Sequence, residues 1–430
     1  MNIKYSYILF LISLIALSGC QDKTYEEYLV NEPVYMSYED LRKSIKETDE
    51  QPLEVPGKIY FKDNFIFINE LMKGVHVYDN SNPETPVYKT FIEIPGNVDI
   101  AIKGDLLYAD SYIDLVAIDI STLDNPVEKH RIKSVFNYTV PETKNDYRVG
   151  SIDYSKGVVV DWTVKEVREE VIENDYPIYY DILYTADYAM FNSAGAEASG
   201  QSSDTQGTAG SLARFMLYQN YLYVIQQGWY VDVFDITSPD TPISKNGFYT
   251  NNNAETLFIK NDKLFIGGQS GMQIFSLSNP EVPEYISGYS HITACDPVVV
   301  NDEYAFVTLR ANNFCGGNTN QLDVIDIRNI ETPLLKNSVV LTNPHGLGID
   351  GDYLFVCDGD DGLRVFDASL PEQMDISNQL KQFNDIHAFD VIPLGDILLT
   401  IGEDGFYQYD YTNINDMKLL SSIRVVASED

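Results

Sequence analysis

The sequence is short of the residues from which nucleic-acid and zinc sites are built. Lys and Arg number 29 against 65 Asp and Glu, a formal net charge of −36. Such a field repels phosphate backbones and anionic lipid surfaces, so nucleic acid is excluded as a partner, and cations, cationic peptides and neutral glycans remain. Cysteine is scarcer still: Cys20, Cys295, Cys315 and Cys357, with no C-x-x-C pair. That spacing excludes a zinc ribbon and a thioredoxin-like redox pair. Familiar catalytic signatures are absent as well. Gly268-Gln269-Ser270-Gly271 lacks the last glycine of a nucleophile elbow, no His-Glu-x-x-His occurs, and no glycine-rich loop ends in Lys-Ser/Thr. Catalysis by residues scattered over several strands is untouched by these absences.

The one long apolar run lies at the start. Lys4 precedes Ile8 to Leu17, a run interrupted only by Ser13, too short for a permanent span of roughly 20 residues. Residues 1–19 therefore read as a signal peptide. Leu17-Ser18-Gly19-Cys20 resembles a lipobox, which predicts that Cys20 is acylated and that several acyl chains anchor the protein stably. Gln21 in place of an aspartate directs the expectation to the outer membrane, on its periplasmic side or at the cell surface. Residues 20–55 read as a lipid-anchored tether, with a short helix around Tyr38 to Glu47.

What the sequence has in abundance is aromatic residues, 31 Tyr and 20 Phe, which favour strands and argue against disorder. A unit recurs along them. Its third strand ends on an aspartate or, once, a serine, and in all but the last copy a proline-containing turn follows: Val77-Tyr78-Asp79 with Pro83, Val116 to Asp119 with Pro126, Val231 to Asp235 with Pro239. Met272 to Ser276 with Pro280, Leu322 to Asp326 with Pro333, Leu363 to Asp367 with Pro371, and Tyr407 to Asp410 continue the series. A period near 40 residues is that of a four-stranded propeller blade. The aspartates read as structural, accepting backbone N–H bonds in the turn that follows.

At strands such as Leu322-Asp323-Val324-Ile325-Asp326 the chain resembles the LVIVD-repeat family of bacterial lipoproteins. The resemblance covers residues 57 to 425 and implies a β-propeller. It implies no activity. The expectation is an all-β propeller over residues 56–428, of about seven four-stranded blades. The period breaks once, between Asp119 and Asp235. Val158 to Val171 reads there as an unusually long strand, Tyr179 to Phe191 as its return, and Ser193 to Gly210 as a Gly/Ser-rich loop. An inserted hairpin and loop at about 140–210 is favoured; an eighth, degenerate blade is the alternative.

Aligning the units on their first turn places Glu255, Asp296, His345 and His387 at the start of four consecutive inner strands. They are expected to converge on one mouth of the central channel, with Leu347 and Ile349, in phase with His345, lining it below. Two imidazoles and two carboxylates suit a divalent metal or acid–base chemistry, against a plain polar rim. Asp358, Asp360 and Asp361 with Glu403 and Asp404 form Gly-rich acidic loops that suit calcium, outside the EF-hand frame. Tyr112, Trp229, Tyr230 and Phe314 are candidate aromatic contacts for a sugar or peptide. Cys295 and Cys315 are a candidate disulfide, and Cys357 a buried thiol. The leading function is a lipid-anchored binding or scaffold module for a protein, peptide or glycan at the cell envelope. The alternative is a metal-dependent hydrolase or lyase at the channel mouth.

Overall fold

Strands that are buried on both faces read as continuous apolar runs, and this chain repeats such runs at a fixed period. The computed structural model describes residues 25–143, 145–170, 208–251, 253–291, 297–311 and 319–426. It folds them into seven blades, each an antiparallel sheet in which successive strands are hydrogen-bonded neighbours. The blades occupy residues 56–93, 100–132, 215–249, 254–290, 298–340, 347–383 and 388–424, and are numbered 1 to 7 here. Every residue of Tyr304–Leu309 in blade 5 is buried, whereas the outer strand Leu334–Val340 is mostly exposed. The core therefore lies between blades.

The repeat residues do two structural jobs. Asp79, Asp119, Asp235, Asp367 and Asp410 each accept the backbone N–H two residues on, at 2.9–3.0 Å. Ser276 does the same with its hydroxyl. The proline turns serve the preceding blade: Tyr108 donates to the Pro239 carbonyl at 2.7 Å, Tyr223 to that of Pro280 at 2.6 Å, and Asn337 to that of Pro371 at 3.3 Å. Blade 7 treats blade 1 the same way. Ser421 and Gln408 both donate to the Pro83 carbonyl, and Gln408 exchanges two amide hydrogen bonds of 2.8 Å with Asn80. Among the described residues no strand is shared between the first and last blades, so these side chains close the ring together with the Val426 N–H, which donates to the Leu53 carbonyl at 2.8 Å.

The expected tether is built into the fold. Tyr25–Met36 is a strand, paired antiparallel along its whole length with Val158–Glu170 of the insertion. Arg148–Val149 adds a short third strand, so the insertion forms a separate three-stranded sheet and, among the described residues, no eighth blade. Trp162 roots this sheet: it is fully buried with Val140 and Val159, and its indole N–H donates to the Pro141 carbonyl at 2.8 Å. The helix is one turn, Tyr38–Leu41, capped by Ser37, because Lys46–Thr48 is drawn off as an extra strand on blade 1. In blade 6 the fourth strand is only Lys381–Phe383, and the residues before it form 3-10 turns. The expected return strand Tyr179 to Phe191 lies outside the described residues, as do the signal peptide and Cys20.

Candidate functional site

The stretch that leads out of the insertion lies across the propeller axis. Thr208–Ala209 pairs with Tyr60 and Phe61 of blade 1. Ser211 then donates its N–H to Asp390 of blade 7 at 3.1 Å and accepts the Leu347 N–H of blade 6 at 2.7 Å. Ala213 accepts from Leu257 of blade 4, and the Arg214 N–H donates to Asp99 of blade 2. Residues 208–214 thus bridge blades on every side before entering blade 3. Ser211 and Leu212 are fully buried. This corrects the expected open channel: Leu347 and Ile349 are buried core residues and line no passage.

Around this plug lies a set of deeply buried charges. Lys58 pairs with Asp99 at 2.7 Å, both almost fully buried. Asp110 accepts the backbone N–H groups of Val98 and Asp99 and the Asn97 amide. Asp390 accepts from Ser211 and Val391 through Oδ1, while Oδ2 has no partner. Burial pushes the Asp390 carboxyl up to about 8, against the opposing pull of its backbone donors and Lys58. It is a neutral acid at pH 7. Gly210 is required beside it, because a Cβ there would fall 1.9 Å from Asp390 Oδ2.

The rim on one end of the ring assembles differently. The structure brings Glu255, His345 and His387 to the same end; Asp296 lies outside the described residues. Between them sits Arg310, just beyond the second strand of blade 5, which the unit alignment missed because it compared only inner-strand starts. Its guanidinium donates to His345 Nδ1 at 2.7 Å. The same guanidinium nitrogen lies 3.2 Å from His345 Nε2, and since arginine can only donate, the imidazole is the acceptor of this contact. Burial, then the charges of Arg310 and His387, hold the His345 pKa well below the imidazole range, so it is neutral at physiological pH. Glu255 supplies Arg310 with a compensating negative charge. His387 is more open, with Nδ1 3.2 Å from Asp360 and 3.4 Å from Glu403, carboxylates that are 83% and 64% exposed.

The acidic loops are held together by cations already present in the chain. Arg364 binds Asp358 and Asp361, each at 2.6 Å, and Asp358 also accepts the Thr342 and Asn343 N–H groups. Asp404 is taken by Arg424 at 3.0 Å and by the Tyr407 hydroxyl. These contacts set the loops apart from an open calcium cage: both oxygens of Asp358, and Oδ2 of Asp361 and of Asp404, are already engaged by guanidinium, backbone or hydroxyl donors. Among the described residues, no three His, Cys, Asp or Glu side chains form a group that could hold a metal ion.

The aromatic candidates separate in the same way. Tyr112 is corrected: it packs against Leu41 and Val158 beneath the inserted sheet and reaches no ligand surface. Trp229 is 56% exposed, and Tyr230 packs edge-on against Tyr249, with ring centroids 4.9 Å apart. Phe314, Cys295 and Cys315 lie outside the described residues. Cys357 is a buried free thiol, its pKa raised by burial.

The LVIVD repeat matches residues 96–134, 207–250 and 345–379, which are in essence blades 2, 3 and 6. The chain carries LVIVD repeats. No curated protein matches it. Among solved structures it is similar to a protein from Lactobacillus plantarum at 10% identity, covering 86% of this chain and 97% of that one, TM-score 0.53. A functionally unknown protein from Desulfotomaculum acetoxidans matches at 11% identity over 84% and 95%, TM-score 0.50. At such identities the likeness concerns fold alone. The LVIVD-repeat chain is a β-propeller, an architecture that suits a binding or scaffold module.

Proposed function

We propose that this LVIVD-repeat propeller is an exported module, anchored in the outer membrane through acylated Cys20, that binds a protein, peptide or glycan at its rim. The observation that supports a surface role most is the plug: residues 208–214 lie across the axis, bonded to blades 1, 2, 4, 6 and 7, where a channel would otherwise run. What faces solvent instead is His387 with Asp360 and Glu403, beside the buried Arg310 and the half-buried His345. Exposed charges that exchange partners cheaply fit recognition, because surface ion pairs are worth roughly 0–1 kcal/mol each.

A photo-crosslinking residue at Glu403, expressed in cells and recovered from membranes, tests both parts of the proposal. The expected result is a discrete heavier adduct in the membrane fraction that is absent when the same residue replaces Asp302 at the opposite end. Adding Cys20→Ala should move the protein to the soluble fraction. Identical adducts from both ends would overturn the rim, and continued membrane association of Cys20→Ala would overturn the anchor.

A further inference from the structure

We infer that two copies of this chain join through the free edge of the inserted strand, Val158–Glu170, to form one continuous six-stranded sheet. The strand pairs with Tyr25–Met36 on one side only; among the described residues nothing pairs with its other edge. Beyond Trp162 it stands clear of the body, with Thr163 to Arg168 exposed or half-exposed. An exposed edge of this length presents a row of unpaired N–H and C=O groups, a ready template for another strand.

The order of charges selects the occupant. Two copies related by a two-fold axis pair antiparallel with one residue opposite its own copy. With Val167 at that position, Glu166 faces Arg168 and Lys165 faces Glu169, each pairing occurring twice. Centring on Lys165, Glu166, Arg168 or Glu169 instead sets a like-charged pair face to face, which is destabilising. Centring on Val164 would run the partner along Trp162, which is buried in the body. One register is therefore favoured, and it is self-complementary.

Within one chain the same charges are unevenly served. Lys165 reaches Glu32 at 3.1 Å and Arg168 reaches Glu27 at 3.4 Å. Among the described residues, Glu169 accepts only the Tyr28 hydroxyl and lies directly across from Glu26, and no ion pair holds Glu166. The second copy supplies the missing cations. Sterically the join is open: Val167 lies five residues beyond Trp162, so at about 3.3 Å per residue the two bodies sit roughly 33 Å apart along the ribbon.

The test uses the full-length chain in membranes and then purified. Val167→Cys should give a disulfide-linked dimer, because directly opposed Cα atoms lie about 4.5–5.5 Å apart, within disulfide range. Glu166→Cys and Arg168→Cys chains should link to each other and scarcely to themselves. By light scattering, Lys165→Glu should weaken the dimer at least tenfold, and Glu169→Lys added to it should restore it. That rescue separates dimerisation from loss of the Lys165–Glu32 contact, which the second substitution does not repair. A monomeric Val167→Cys chain, or a double variant as weak as Lys165→Glu, would overturn the inference. So would crosslinks from position 167 to residues 171–207 of the same chain.

Discussion

Lys58, Asp99 and Asp390 at the axis and Arg310, His345 and His387 at the rim come from the inner and second strands of neighbouring blades, yet their environments set them to different tasks. At the axis each charge is either paired within the barrel of sheets, as Lys58 is with Asp99, or extinguished, as Asp390 is by holding its proton. Those groups hold the plug and do not face solvent. At the rim, burial deepens gradually: His345 is neutral and fixed by Arg310, while His387 and its two carboxylates are open to exchange. The same residue types are structural a few ångströms down and available at the surface. Depth, rather than identity, decides which can meet a partner.

The sharpest way to break this distinction is to remove one cation from each region. Lys58→Met leaves Asp99 buried without the ammonium that pairs with it at 2.7 Å, and breaking such a pair costs about 3–5 kcal/mol. His387→Ala removes only surface pairs, worth about 0–1 kcal/mol. Urea midpoints should therefore fall steeply in the first and hardly move in the second. Equal losses would show that the rim is as structural as the axis.

A smaller effect follows from the proton on Asp390. Its folded pKa, about 8, lies above the unfolded value of about 3.9. Between those limits the unfolded chain releases a proton that the folded chain keeps, so this group lowers stability as pH rises from 4 to 8 and adds no slope outside that window. Asp390→Asn keeps the Oδ1 acceptor for Ser211 and Val391 and removes the titration. Melting temperatures at pH 5 and pH 8 should lie closer together in the variant than in the parent, the gain at pH 8 being roughly 2–4 °C for each kcal/mol relieved. An unchanged difference would place the charge of Asp390 elsewhere.

The sequence reveals what repeats and hides what occurs once. The blades follow from a period carried by Asp79, Asp119, Asp235 and their successors, each bound to its own turn, so local residues suffice to find them. The length of Val158–Glu170 was also legible, but its partner was not: Tyr25–Met36 lies more than 120 residues away, and both strands are charged on both faces, so alternation points to no core. The plug escaped for a similar reason. Ser211 to Arg214 follow a Gly/Ser-rich stretch with no periodicity, and their partners come from blades 2, 4, 6 and 7. Inner-strand starts could be aligned, which brought Glu255, His345 and His387 to one end. Arg310 and Arg364 could not be foreseen as partners, because they come from second and third strands whose side chains meet these groups only after the sheets twist together.

The smallest effect tests the opposite linkage at the periphery. Asp79 and Asp119 are held down to about 2 by the hydroxyl and backbone N–H of Ser81 and Ser121, and then by Lys89 and Lys129. For these groups the unfolded chain takes up a proton first as pH falls, so their contribution is present above pH 4 and is lost as pH falls through 2. Asp390 acts in the reverse sense above pH 4. Asp119→Asn can still accept the Ser121 N–H, but it loses the charge that pairs with Lys129 at 2.9 Å. At pH 7 its melting temperature should differ from the parent's by no more than a degree or two. Between pH 4 and 2 its stability should fall less steeply, while the slope from pH 4 to 8 stays as in the parent. Asp390→Asn should show the converse. Should Asp119→Asn alter the neutral limb instead, the turn aspartates and the axial acid would be electrostatically coupled, and the separation of axis from periphery would fail.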